Sequence, residues 1–309
     1  MTDFNNEICQ KFSKTFAEVF RFSFYASRRY KVYEIPKRTG GLRKIAQPSA
    51  ELKEYQRYII SNIFSHFPIH ASVYSYQRDK NIKQMALEHL KSNFLLRIDF
   101  IDFFSSIQSE HIREFLRSKS KTVLPVTLKE HDITLINLLV CKGGRLTIGA
   151  PSSPIISNII LYDLDEFLTL YCSQRDITYT RYADDLYFST SKPDILKYIL
   201  PSLSEYLKTF FIRLRINNKK TINTSRKTSQ QVTGLRLTTD RKLSIGRDKK
   251  RYIKSLIFKY SKQKLDFKQL NYLKGYLSYI YSIEPEYIQN LKTKYSSDLI
   301  QELLPLKRP

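Results

Sequence analysis

The sequence predicts an α+β fold, and three observations lead there. Strand-like and helical runs interleave along the 309 residues without the regular spacing of βαβ units, which argues against a doubly wound sheet. Hydrophobic residues make up 42% of the chain and are spread over its whole length, so there is apolar surface enough for a sizeable core. The tail, residues 247–309, reads as helical, basic and rich in tyrosine.

Taken in order, residues 7–29 carry a helical pattern with a basic end, Arg28-Arg29. Two short strand-like runs follow, Lys31–Pro36 and Leu42–Gln47, joined as a hairpin through Thr39-Gly40-Gly41. Pro48-Ser49 stops the second run and starts a helix to about Ser65, with Glu51 near its N-terminus. Another helix is expected over 82–92. Asn93–Phe100 is apolar except at its ends and reads as a buried strand. From 109 to 141 the pattern is helical, interrupted at Pro125. The turn Lys142-Gly143-Gly144-Arg145 leads to Gly149-Ala150-Pro151 and a long apolar helix, Ser153–Leu170. Two strands around Ala183-Asp184 occupy 177–189, a helix covers 193–210, and strands lie near 212–224 and 231–245.

Charge points to the partner. With 52 Lys and Arg against 29 Asp and Glu the formal charge is +23, an excess whose self-repulsion a polyanion relieves. Nucleic acid comes first and an anionic membrane surface second. The membrane reading is weak, because no apolar run approaches the ~18 residues of a membrane span and Met1–Gln10 is polar and acidic, unlike a signal peptide. Cys9, Cys141 and Cys172 lie far apart with no CxxC pair, which implies neither structural zinc nor a disulfide framework and fits a reducing cytoplasm. The 22 Tyr and 19 Phe supply core, and some of them rings that can stack on bases.

Two segments place acids where acids are costly. In Leu95-Leu96-Arg97-Ile98-Asp99-Phe100-Ile101-Asp102-Phe103-Phe104, Asp99 ends an apolar strand. In Tyr179-Thr180-Arg181-Tyr182-Ala183-Asp184-Asp185-Leu186-Tyr187-Phe188, two adjacent acids sit at the tip of an apolar and aromatic hairpin. Adjacent carboxylates repel, and a divalent cation offsets that best. Oxygen ligands with no His or Cys nearby favour Mg²⁺ or Mn²⁺ over zinc. The same Asp-Asp pair is also compatible with a solvated turn, and spacing alone does not choose.

Resemblance adds the choice. Tyr182-Ala183-Asp184-Asp185 resembles the YxDD signature of reverse transcriptases, and Asp99 with Phe104 five residues later resembles their first metal-binding motif. Gly149-Ala150-Pro151-Ser152-Ser153-Pro154, followed by Asn158, is similar to the motif between those two. Val232-Thr233-Gly234 resembles the VTG motif of retron enzymes, and Ala86 and His89 fit their NAxxH motif, with Met85 where the family has Asn. Arg43-Lys44-Ile45-Ala46-Gln47-Pro48-Ser49 and Lys219-Lys220-Thr221 also match, so the likeness spans roughly residues 30–280. At this length an RNase H, endonuclease or maturase module is not expected.

What the resemblance implies is a right-hand polymerase: fingers from 1–98 with 110–147 contributing, a palm over 99–239, and a helical, RNA-binding thumb over 240–309. It implies two Mg²⁺ per site, replaceable by Mn²⁺, about 3.5–4 Å apart, held by Asp99, Asp184, Asp185 and the carbonyl of Phe100. A primer hydroxyl attacks the α-phosphorus of a dNTP and expels pyrophosphate, with Lys220 as the candidate general acid. Lys37, Arg43, Asp102, Phe103, Phe104, Gly149 and Asn158 are the expected nucleotide-binding residues. Phe104 is the steric gate against a ribose 2′-hydroxyl, Arg43 meets the triphosphate with its planar fork, and Gly149 lets backbone approach the nascent base pair. Lys37 and Arg38 can equally be a solvated hairpin face. Ile148 stands where the family has Gln. His89 is given no chemistry. Lys249, Lys250, Arg251, Lys254 and Tyr276 are expected to bind RNA. The partners implied are a cognate non-coding RNA that both primes and templates, its cDNA, dNTPs and a separate effector protein of a bacterial, cytoplasmic anti-phage system. Another bacterial reverse transcriptase, of the abortive-infection or group II intron kind, and a catalytically silent RNA-binding scaffold are the alternatives.

Overall fold

The computed structural model describes residues 4–37, 40–210 and 212–304. Its strands are β1 (Tyr30–Pro36), β2 (Leu42–Pro48), β3 (Phe94–Ile101), β4 (Thr178–Tyr182), β5 (Asp185–Thr190), β6 (Arg215–Ile216), β7 (Ile222–Ser225), β8 (Gln230–Val232), β9 (Leu235–Leu237) and β10 (Leu243–Ser244). β1 and β2 form a separate antiparallel ladder, from Tyr30↔Pro48 to Pro36↔Leu42. The main sheet runs β4-β5-β3-β6, with β7 also pairing β3, and β8, β9 and β10 form a small meander. Helices and strands interleave irregularly, as the sequence predicts. Of the expected hairpin turn, Arg38 and Thr39 lie outside the described residues, as does Phe211 of the run near 212–224.

The chain divides into two compact units, the first made of Met1–Gln77, Arg97–Tyr187 and Asp194–Ile222. Two helices read as continuous are broken here. The run expected over 7–29 is Phe4–Phe12, Phe16–Phe24 and a 3₁₀ turn, Ala26–Arg28. Ser13 takes φ 50°, and Thr15 opens a new helix with a capping box: its hydroxyl oxygen accepts the Glu18 N–H at 3.3 Å, and the Glu18 carboxylate accepts the Thr15 N–H at 2.8 Å. The run expected over Ser153–Leu170 is Ser152–Ile160 and Tyr162–Ser173. The first of these is buried on nearly every side, which makes it a core helix rather than an amphipathic one. The helix Ala50–Asn62 starts at Ser49, as predicted, and buries Leu52, Tyr55, Gln56 and Ile59. Gln56 commits its buried amide nitrogen, donating to Tyr30 Oη and to the Leu139 carbonyl, both at 2.8 Å.

The second unit comprises Arg78–Leu96, Phe188–Pro193 and Asn223–Pro309. Its helix Ile82–Glu88 ends at His89, earlier than the expected 92, and packs on β8, β9 and β10. Thr233 and Gly234 join β8 to β9 with φ 47° and 90°, the two positive values of a tight hairpin turn. The Val232-Thr233-Gly234 and Ala86–His89 segments, distant in sequence, therefore belong to one packed cluster. Arg226 ties the same region together, donating to the carbonyls of Ser92 at 3.0 Å and Thr238 at 3.1 Å. The helices Arg247–Ser261, Phe267–Ile283, Pro285–Tyr295 and Ser297–Leu303 close over a core that includes Ile253, Leu256, Leu273, Leu277, Ile288 and Leu291.

His89 is wholly buried, with Nδ1 2.8 Å from Ser189 Oγ, and burial pushes its pKa down from 6.5 to about 3. A depressed histidine stabilises the fold above its unfolded pKa and loses that contribution as pH falls towards the folded one. Between pH 7 and pH 5 the wild type should lose about 2 kcal/mol from this residue alone. Chemical denaturation at both pH values should show a smaller loss in His89→Gln, whatever constant packing penalty the substitution carries.

Candidate active site

Asp184 sits in the turn between β4 and β5, and that turn is fastened from below. Arg181 on β4 is fully buried and grips Asp165 with both arms of its fork, Nε to Oδ1 at 2.8 Å and Nη2 to Oδ2 at 2.6 Å. Its third nitrogen donates to the Ala183 carbonyl and to Asn158 Oδ1, each at 3.2 Å. Ser75 Oγ accepts the Ala183 N–H at 2.9 Å, and Asn158 Nδ2 donates to the Ser75 carbonyl at 2.9 Å. Ala183 is thereby held at φ 55°, a left-handed conformation that costs an L-residue about 1–2 kcal/mol.

Across the sheet, the Phe100 N–H donates to the Asp184 carbonyl at 3.2 Å, which brings Asp99 and Asp184 to adjacent strands. Asp99 is 3% exposed. Its carboxylate accepts from Asn217 Nδ2 at 3.0 Å and from Lys220 Nζ at 3.1 Å, and its carbonyl accepts the Asn217 N–H at 2.8 Å. Asp185 is turned to Arg97, whose Nε and Nη2 donate to its Oδ1 at 3.0 and 2.8 Å. Asp99, Asp184, Asp185 and Lys220 are thus brought together. Arg97 and Asn217 were missed by sequence reasoning, although Arg97 lies only two residues before Asp99.

Burial, and then the negative charges of Asp185 and Asp99, push the pKa of Asp184 from 3.8 up to about 6. Asp185 is raised by burial too, and Arg97 opposes the rise. An acid held this way lacks positive charge, and its donors here are oxygens alone, which fits a hard divalent cation. Asp99 and Asp184 are the groups that could hold one. Among the described residues no three His, Cys, Asp or Glu side chains converge as a ready-made metal cluster; Asp185 is drawn to Arg97.

Of the remaining expected residues, Arg43 lies on the exposed side of β2. Tyr76, not singled out from sequence, feels both Arg43 and Asp184: burial and then the Asp184 charge raise its pKa, and Arg43 opposes them. Tyr76 therefore lies within electrostatic reach of both Arg43 and Asp184. Lys37 is exposed beside the hairpin turn, its N–H donating to the Gly41 carbonyl at 2.9 Å. Phe104 is partly exposed and meets Phe103 edge-on. Three placements depart from expectation. Phe103 is buried against Phe100, so it is core. Asn158 is fully buried and spends its amide on Ser75 and Arg181, so it braces the hairpin. At Gly149 (φ 110°) a Cβ would meet the Ala46 carbonyl oxygen at 2.8 Å, so the close approach is to β2, where the Ala46 N–H donates to the Ile148 carbonyl at 2.8 Å. The Ile148 side chain stays exposed. Asp102 is exposed and pairs with Arg215 at 3.4 Å.

A family model described as reverse transcriptase (RNA-dependent DNA polymerase) matches residues 35–259. The Escherichia coli retron Ec83 reverse transcriptase is 40% identical over 279 residues, which are 89% of this chain and 89% of that one. The chain belongs to the retron-type reverse transcriptases. The Escherichia coli retron Ec73 enzyme is 33% identical, covering 87% of this chain and 88% of its own. Among solved structures, apo telomerase from Candida tropicalis superposes with a TM-score of 0.50 at 14% identity, over 90% of this chain and 59% of that one. That likeness is one of fold, the right-hand polymerase fold. RNA-directed DNA synthesis is thus the activity of this chain.

The tail of this reverse transcriptase presents fewer free cations than its composition suggests. Lys249 and Arg251 are exposed, and Lys249 Nζ stands 5.8 Å from the Tyr276 ring. Tyr276 stacks on Tyr272 at 5.5 Å and is partly buried. Lys250 departs from expectation, because its ammonium is bound to Glu284 within the unit and lies 4.5 Å from the Tyr287 ring. Lys254 also leans on Tyr287, at 5.8 Å.

Because the folded pKa of Asp184 is raised, its ionisation opposes folding as pH rises through about 6. Asp184→Asn should therefore be more stable than wild type at pH 7.5 without divalent ions, by about 1–3 kcal/mol. The gain should vanish near pH 4 and shrink on adding Mg²⁺, as thermal melts under the three conditions will show.

Proposed function

We propose that this reverse transcriptase copies a cognate structured non-coding RNA by two-metal phosphoryl transfer, starting from a 2′-hydroxyl of that RNA to leave branched RNA–DNA. The observation that carries the reading is the juxtaposition of Asp99 and Asp184 on adjacent strands, with Lys220 on one and a pKa of about 6 on the other.

When bound, Mg²⁺ or Mn²⁺ supplies charge for the attacking and leaving oxygens. Asp99 and Asp184 would hold the ions, and Arg97, which opposes the burial-driven rise in the Asp185 pKa, favours the charged form of that supporting acid. Lys220, more than half exposed and 3.1 Å from Asp99, stands where it can protonate the departing pyrophosphate or hold its charge. Arg43, exposed on β2, orients the triphosphate with its planar fork. Phe104 faces the sugar and excludes a 2′-hydroxyl.

Fingers over 1–98 with 110–147, a palm over 99–239 and a thumb over 240–309 form our domain assignment. The thumb contributes Lys249, Arg251 and the Tyr272–Tyr276 stack to RNA recognition: phosphate contacts give salt-sensitive affinity, and shape and stacking give selectivity. The free thiols of Cys9, Cys141 and Cys172 fit a bacterial cytoplasm, and no helix among the described residues is long and apolar enough to cross a membrane. Retron kinship supports an anti-phage role in which the RNA–DNA complex controls a separate effector protein.

Sequencing the nucleic acid that copurifies with the protein tests the whole reading. One abundant RNA joined covalently to short DNA is expected, and its absence in an actively incorporating preparation would overturn the branched priming. Asp184→Asn should abolish dNTP incorporation and leave RNA affinity within about twofold.

Phe104→Ala should lower the ratio of kcat/KM for dGTP to that for GTP, since discrimination is that ratio. An unchanged ratio would make Phe104 ordinary core. Reversing charge at Lys249 and Arg251 should weaken cognate-RNA binding and flatten its salt dependence. Lys250→Ala should instead lower the melting temperature, because it strands a largely buried Glu284.

A further inference from the structure

The strand that carries Asp99 leads out of the acids and into a second charged place. Two residues after Asp99 β3 ends, and Asp102 turns the chain with φ 49°. A cavity of about 360 Å³ opens there, lined on its cationic side by Arg145, Arg213 and Arg215. Two stretches of the chain bring the arginines there. Arg213 and Arg215 flank the buried Leu214 and are themselves both exposed. β6 pairs Arg215 with Ile101 and Ile216 with Phe100. The turn 142–145 is pinned to the start of the earlier helix Ser109–Val123, with the Ser109 N–H donating to the Gly144 carbonyl at 2.8 Å and the Leu146 N–H to the Ile107 carbonyl at 3.0 Å. That pairing sets Arg145 against Gln108.

Three guanidinium groups face one carboxylate here. Arg215 pairs with Asp102, whereas Arg145 and Arg213, both exposed, have no side-chain partner among the described residues. The hydroxyls of Ser105 and Ser106 are turned onto the Asp102 carbonyl at 2.9 and 3.1 Å, so the arginines are the available donors. Planar forks with surplus charge in a concave, polar pocket are suited to phosphate oxygens. A nucleic-acid backbone is tracked by a charged groove, whereas this charge is gathered in one cavity. At about 3.3 Å per strand residue, the pocket begins roughly 7–10 Å from Asp99, and the polymerase reaction releases a diphosphate anion at Asp99.

We propose that this pocket is a binding site for inorganic pyrophosphate, a station that receives the leaving group after it quits the catalytic acids. The proposal rests on Asp99 marking the place of phosphoryl transfer. It assigns Arg145 and Arg213 to product handling away from the acids, separate from Arg43, which meets the triphosphate, and from Lys220, which acts beside Asp99 as the bond breaks.

The experiment is product inhibition of primer extension by added pyrophosphate on a generic primed RNA, with Arg145→Gln, Arg213→Gln and the double variant. The inhibition constant for pyrophosphate, taken relative to KM for dGTP, should rise about tenfold in the double variant, the size of one charge-assisted hydrogen bond. Arg213→Lys should recover part of it, through charge without the fork. An unchanged ratio in the double variant would overturn the proposal. So would a fall in affinity for the primed template with an unchanged ratio, which would make the pocket a nucleic-acid contact. Failure of the Asp99 assignment is read separately, as persistent incorporation by Asp99→Asn.

Discussion

The buried pair Arg181–Asp165 is the contact on which the site depends. Both side chains are wholly out of water, so the pair is poor evidence for net stability, since desolvation offsets most of the attraction. What it contributes is position. One guanidinium spans Asp165, Asn158 and the Ala183 carbonyl, and the Ala183 N–H is taken by Ser75. With both polar groups of Ala183 committed, the strained turn has no alternative partner, and Asp184 is delivered to the same edge as Asp99. Removing either member of the pair would strand a buried charge, at about 3–5 kcal/mol.

Charge is distributed around this fixed point with a consistent logic. The chain is strongly basic, yet the few acids that matter are grouped so that their own repulsion and burial raise Asp184 to about 6. Cations then settle unequally: Arg97 takes Asp185 and Lys220 takes Asp99, which leaves Asp184 the least compensated. A site arranged in this way is short of positive charge at the one carboxylate that projects from the turn, and a divalent ion completes it.

Much of this was legible in the sequence. The Tyr182–Asp185 and Asp99–Phe104 segments announced strand ends with costly acids, and period-two and turn signals gave β1, β2 and the β4–β5 hairpin nearly to the residue. The broken helices were harder. Thr15-Phe16-Ala17-Glu18 is a capping signature that the apolar run around it masks, and the break at Leu161 follows a helix buried on nearly every side. Roles set by tertiary pairing were invisible. Nothing local says that Asn158 faces Arg181, that Lys250 meets Glu284, or that Gly149 must clear the Ala46 carbonyl. Motif position identified these residues as special, and only packing shows for what.

The central claim is that Asp99 and Asp184 form the divalent-ion site while Asp185, held by Arg97, supports it from the side. Mn²⁺ titration followed by the paramagnetic resonance of the free ion, with primed template and a non-hydrolysable dNTP present, measures this directly. The account predicts that Asp99→Asn and Asp184→Asn each abolish tight Mn²⁺ binding, whereas Asp185→Asn weakens it by no more than about tenfold. Equal abolition by all three variants, or undiminished binding in Asp99→Asn, would contradict it.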